Sequence, residues 1–122
     1  MDSVKISLSA ADILNLNRTP VSLCAAKGAG TIIVPIAVIA DYAYGTTGYS
    51  SSILQFSVNG NIVSRDISII SSTSNSIHSL VSAPGAEQTV ADNQPIMITA
   101  NTNPTGGDGT MDVTLLYEVV TR

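Results

Sequence analysis

Apolar and polar residues alternate along three stretches of the chain. Val4, Ile6 and Leu8 alternate with Lys5, Ser7 and Ser9; Leu54, Phe56 and Val58 with Gln55 and Ser57; Met111, Val113, Leu115, Tyr117 and Val119 with Asp112, Thr114 and Glu118. Successive side chains of a strand point to opposite faces, so each stretch predicts a strand with one face buried. Asn59-Gly60 follows the second stretch, and this dipeptide accepts the positive φ angles of a tight hairpin turn. Residues 53–70 therefore predict a hairpin. Its second arm, Ile62 to Ile70, sets Val63, Arg65, Ile67 and Ile69 on one side and Ser64, Asp66 and Ser68 on the other; Arg65 is out of place there.

Val34 to Ala40 is apolar on both faces, as expected of a strand buried between two layers or between a sheet and a neighbouring subunit. Pro35 has no N–H to give to a ladder, which places it at a bulge or on an edge. Pro95 to Ala100 and Pro20 to Ala25 predict two more short strands. Ser9-Ala10-Ala11-Asp12 has the form of a capping box and starts a short helical turn, which Arg18-Thr19-Pro20 stops beyond Leu16. The serine-rich stretch Ser71 to Ser82 resolves into no single pattern, and His78 falls on a one-turn helix or a short strand there. About seven or eight short antiparallel strands joined by Gly, Pro and Asn turns predict an all-β fold, a β-sandwich or barrel with the jelly roll as the natural candidate. Residues 1–122 read as one such domain, with no internal repeat and no linker.

Composition adds a partner to this picture. The chain is 44% hydrophobic and 11% charged, where an ordinary soluble domain carries about 25% charged residues. A surface so poor in charge is covered by Ser, Thr, Asn and Gly, or hidden between subunits, which predicts a homo-oligomer. The net charge is -4, and the five basic residues, Lys5, Arg18, Lys27, Arg65 and Arg122, do not cluster. Phosphate-backbone binding needs a basic patch, so nucleic acid is not an expected partner. The single cysteine, Cys24, has no intrachain partner and sits among Leu23, Ala25 and Ala26 as a small buried hydrophobe. No basic region leads into an apolar stretch near Met1, so no signal peptide is expected. Thr31 to Ala40 is too short to span a membrane and carries Pro35, so no membrane is expected either and assembly in a cytoplasm is.

Chemistry-bearing residues are sparse. His78 is the only histidine, and no acid is placed beside it and the surrounding serines to make a triad. Nor could a histidine-based metal site within one chain be completed except by carboxylates. No enzyme activity, catalytic residue, metal or cofactor is therefore expected. Lys27-Gly28-Ala29-Gly30-Thr31 lacks the order of a phosphate loop and reads as a turn. Asn101 to Gly109 offers oxygens without the acidic spacing of a calcium loop and reads as a long hairpin connection, with Asn103 and Asp108 as candidate exposed residues. Tyr42, Tyr44 and Tyr49 flank Gly45-Thr46-Thr47-Gly48. With Thr46 and Thr47 they either form a candidate contact for a protein or sugar partner, or cap the end of the sandwich.

Two segments resemble a known group. Ser9-Ala-Ala-Asp12-Ile-Leu-Asn-Leu16, Thr19-Pro20-Val21, Gly28-Ala-Gly30, Val34-Pro35 and Tyr44-Gly45-Thr46-Thr47 are similar to the N-terminal half of small bacteriophage virion proteins encoded among head genes. Asn103-Pro-Thr-Gly-Gly-Asp108-Gly-Thr110, with the alternating strand that ends at Tyr117, resembles the C-terminal end of the same group. The resemblance implies a head decoration or cement protein, a jelly roll that assembles as a trimer over the phage major capsid protein on the exterior of the virion capsid and stabilises the head. It carries over no catalytic residue. A tail or head-fibre module that binds a host surface glycan or receptor is the alternative, motivated by the tyrosine-flanked loop and the polar loop 101–109.

Overall fold

The computed structural model describes residues 1–50, 54–58, 61–66, 69–80 and 92–122. The alternating stretches form strands: β1 (Asp2–Leu8), β2 (Val21–Cys24), β3 (Thr31–Ala43), β4 (Leu54–Val58), β5 (Asn61–Asp66), β6 (Ser76–Leu80), β7 (Ile96–Ala100) and β8 (Thr110–Thr121). Helix α1 (Ala10–Leu14) follows β1. The strands make two antiparallel sheets, a long one in the order β1-β8-β3-β6 and a short one in the order β2-β7-β4-β5. The protein is an all-β sandwich. Strand β1 pairs with β8, β2 with β7, β3 with β6 and β4 with β5. The chain is thus one long antiparallel ribbon doubled at β4 and β5, then wrapped so that β3 also meets β8 and β4 meets β7.

Period two decides which side chains meet inside. Met111, Val113 and Leu115 of β8, Val38, Ala40 and Tyr42 of β3, Phe56 of β4 and Ile96 and Ile98 of β7 are all buried between the sheets. Each large apolar side chain taken out of water there contributes about 1.5–3 kcal/mol. Helix α1 closes one end. Ser9 Oγ accepts from the Asp12 N–H while the Asp12 carboxylate accepts from the Ser9 N–H, the reciprocal box expected from the sequence. The helix thereby points Ile13 into the core, where it and Leu16 are fully buried.

Bulges let neighbouring residues break the alternation. The register of β2 shifts between Ser22 and Cys24, so Leu23 and Cys24 are both buried. In β3 the shift lies between Pro35 and Ala37, at the residue that has no N–H to give. Pro35 and Val38 both face inward as a result, and the extra residue Ile36 stands outside with Ala37, opposite Leu116.

Of the two alternatives for β3, a second layer over it is not present among the described residues: Ile33, Val38 and Ala40 are buried on the inner face, whereas Ile36 and Ile39 are 39% and 36% exposed. Two expectations change. The arm after β4 ends at Asp66, and Ile69–Ser71 is a 3-10 turn. A strand would send Ile69 and Ile70 to opposite faces, whereas the tight turn lets both be buried as the chain crosses to the long sheet. Residues 101–109 are no hairpin connection, because β7 and β8 belong to different sheets. His78 lies on a strand, opposite Ala40. The Asn59-Gly60 turn, Ile67, Ser68, Val81 and Ser82 lie outside the described residues.

Candidate functional site

Strand β3 ends where β8 begins, with Ala43 opposite Thr110. The segment after β3 and the segment before β8 therefore leave the same end of the long sheet, and two candidates separated by about sixty positions in sequence become one structure. Asp108 joins them. Its Oδ1 accepts from the backbone N–H of Thr46 at 2.8 Å and of Thr47 at 3.0 Å, and its Oδ2 accepts from Thr46 Oγ1 at 2.5 Å. The Asp108 N–H donates back to the Thr47 carbonyl at 3.3 Å. The hydroxyl and backbone donors from Thr46 and Thr47 favour the ionised form and hold this carboxyl below the usual carboxylate range.

Below this latch the tyrosines are internal. Tyr42 and Tyr49 are 0% and 3% exposed, and their rings meet edge to face with centroids 6.4 Å apart. Tyr49 Oη donates to the Gly109 carbonyl at 2.5 Å. Tyr42 Oη is buried with no hydrogen-bond partner. Burial, with the neighbouring Tyr42 and Asp108 adding to it, pushes the Tyr49 hydroxyl up to about 12, and burial likewise raises Tyr42. Three glycines make room for these contacts. A Cβ on Gly107 would enter the Tyr49 ring, one on Gly45 would strike the Asp108 carboxylate, and one on Gly109 would lie 2.6 Å from Tyr42 Oη.

Of the candidate contact residues, Tyr42 and Tyr49 thus belong to the core, the capping reading of the tyrosines. A partner at this end meets Thr46, Thr47 and Asp108, all exposed, and the half-buried Tyr44, whose Oη donates to the Thr46 carbonyl at 2.7 Å. Asn103 is half-buried and accepts from the Arg18 N–H at 3.2 Å, fastening the segment after α1. Sequence reading missed Ser50 and Asn75. The Ser50 N–H donates to the Thr105 carbonyl and Ser50 Oγ accepts from the Thr105 N–H, while Asn75 Oδ1 accepts from the Tyr44 N–H. Loop serines and asparagines carry no pattern that would mark them.

Asp108 is engaged by three donors, the Thr46 hydroxyl and the Thr46 and Thr47 N–H groups, and so fixes the two loops to each other. The Lys27–Thr31 turn is closed in the same way. Its Gly28 and Gly30 N–H groups donate to Asn93 Oδ1 and Asp92 Oδ1, taking up amides that a phosphate loop would leave open. Among the described residues no group of three or more His, Cys, Asp or Glu side chains converges.

The other feature lies on the outside of the long sheet. Ile32, Val34, Ala37 and Ile39 of β3 stand opposite Val120, Glu118, Leu116 and Thr114 of β8, with Ile36 beside Ala37. Val120 is 47% exposed, and Ile77, on the neighbouring β6, is 69% exposed. On the short sheet Gln55 of β4 stands opposite Thr99 of β7, and the buried Ser57 opposite the half-buried Met97. The chain matches no protein-family model and no curated protein sequence.

Proposed function

We propose that this protein is a non-enzymatic structural component of a bacteriophage virion, a capsid decoration protein that binds the major capsid protein lattice on the head exterior as an oligomer and stabilises it. The observation that carries this reading is the set of exposed apolar side chains on the outside of the long sheet, Ile36, Ile39, Ile77 and Val120. An apolar outer face on the long sheet is surface that suits burial against protein, and the sparse charge of the chain points the same way. The resemblance to small head proteins supplies the context. We read the wrapped ribbon, with neighbours 1-8, 2-7, 3-6 and 4-5, as a jelly roll, an architecture used by capsid proteins. Clamping neighbouring capsid subunits requires buried area and rigid loops, and no reacting group. The test is co-sedimentation with phage heads that lack the protein. Saturable binding, with heads that resist heat better once coated, is the expected result; no binding at micromolar concentration refutes the reading.

A second reading draws on the Asp108 latch. Loops held in one conformation lose little entropy on binding, which suits a tail or head-fibre module that recognises a glycan or receptor through Tyr44, Thr46 and Thr47. Binding on a glycan array, abolished by Thr47→Arg, is the result that favours it over decoration.

A further inference from the structure

From the outer face of the long sheet we infer that the partner it takes is a second copy of this chain, the two copies stacking their β1-β8-β3-β6 sheets face to face about a two-fold axis. This rests on the structural, assembling role proposed above and names the surface through which copies meet. Three observations lead to it.

The first is size. Strands β1, β8, β3 and β6 are 7, 12, 13 and 5 residues long, and at about 3.4 Å per residue and about 4.8 Å per strand they make a face of roughly 600 Å². That is about a tenth of the 6080 Å² surface of the chain. It approaches the ~800 Å² per partner of a standard interface.

The second is the distribution of charge. The central row, Ser3, Leu116 and Ala37 with Ile36 beside it, contains no charged side chain; Glu118 stands on one side of it, opposite Val34, and Lys5 on the other, opposite Thr114 in the row of Ile39, with Asp112 and Asp41 one row further out. Asp112 accepts from Ser7 Oγ at 2.7 Å and lies 3.5 Å from Lys5 Nζ, and Glu118 lies 3.2 Å from the Met1 amino group. Two copies centred on that row therefore meet apolar side chains at the middle, with the row of Glu118 and the row of Lys5 on opposite sides of it, in spite of the net charge of -4. A strongly basic partner is not required.

The third is the β3 bulge. By adding Ile36 to the outer side beside Ala37, it thickens the face at its middle, where a two-fold axis makes a patch meet itself. The same extra residue is not needed to fill the core, because Pro35 and Val38 already face inward around it.

Light scattering on the full chain at micromolar concentration tests this. The expected result is twice the chain mass for the wild type, a dimer at least tenfold weaker for Ile39→Lys and for Ile77→Lys with an unchanged circular dichroism spectrum, and an intact dimer for Ser22→Lys on the short sheet. A wild-type monomer overturns the inference. So does a dimer that neither lysine variant weakens, and so does a trimer, because a face that packs on itself closes a two-fold and not a three-fold. The decoration reading fails separately: a monomer that binds heads saturably refutes the dimer alone, and a dimer that ignores heads refutes decoration alone.

Discussion

Tyr42 and Tyr49 touch each other at the same end of the sandwich, and removing one hydroxyl from each should have opposite consequences. Tyr49 Oη donates to the buried Gly109 carbonyl, so Tyr49→Phe deletes a hydrogen bond and leaves that carbonyl unpaired. A buried polar group stripped of its partner costs about 1–3 kcal/mol. Tyr42 Oη is buried and already unpaired, so Tyr42→Phe removes a desolvated hydroxyl and loses no bond. The expected change is between zero and about 1 kcal/mol of stabilisation. Both variants keep the ring and its edge-to-face contact, which removes packing from the comparison. For a chain of this size 1 kcal/mol moves the midpoint by about 4 °C, so Tyr49→Phe should melt roughly 4–12 °C below the wild type and Tyr42→Phe at or slightly above it. Urea unfolding followed by circular dichroism, at one fixed protein concentration because association also stabilises, supplies the free energies. Equal losses in the two variants would refute the assignment of the Gly109 bond to Tyr49 alone.

Asp108 should make the loops acid-sensitive. Its folded pKa lies below the ordinary value of 3.8, so its contribution is complete above the unfolded value and is lost as pH falls through the folded one. The stability difference between wild type and Asp108→Asn should hold from neutral pH down to about pH 4 and shrink below it; a difference that is flat with pH counts against the latch. Tyr49 acts at the other extreme: with its pKa raised to about 12, its share of stability is present below pH 10 and is lost as pH rises through the folded value. An alkaline titration at 295 nm should show one tyrosine fewer ionising at high pH in Tyr49→Phe. Gly107→Ala should cost about 1–3 kcal/mol in urea unfolding, because the new methyl group enters the Tyr49 ring. Ser9→Ala should cost about 1 kcal/mol by opening the capping box of α1.

The elements that sequence reading recovered are those governed by local rules. The alternation at Val4–Leu8, Leu54–Val58 and Met111–Val119, the box at Ser9–Asp12 and the bulge at Pro35 each need only a few neighbouring residues to be decided. What it missed depends on residues far apart. The burial of Ile69 and Ile70 follows from a crossing between sheets, and the 101–109 segment looked like a hairpin because nothing local says that β7 and β8 lie in different layers. At the candidate site, composition brought out Tyr42, Tyr49 and Asp108. Their roles came from the register that sets Ala43 beside Thr110, which turned two candidate contact residues into core and the acid into their fastener. Ile77 was hidden in a serine-rich stretch with no period, so the full outer face was not visible either.

The doubled ribbon also imposes an order on synthesis. Strand β8 lies between β1 and β3, yet of the described strands it is the last to leave the ribosome. Ser7 and its partner Asp112 are 105 positions apart, so at about 5–20 residues per second β1 waits roughly 5–20 s for β8, its neighbour among the described strands. During that interval β1 and the long apolar edge of β3 are open to other chains, and helix α1 has little sheet to cap. Rapid, crowded production of this protein is therefore the condition under which nascent copies compete with their own last strand for the same edges.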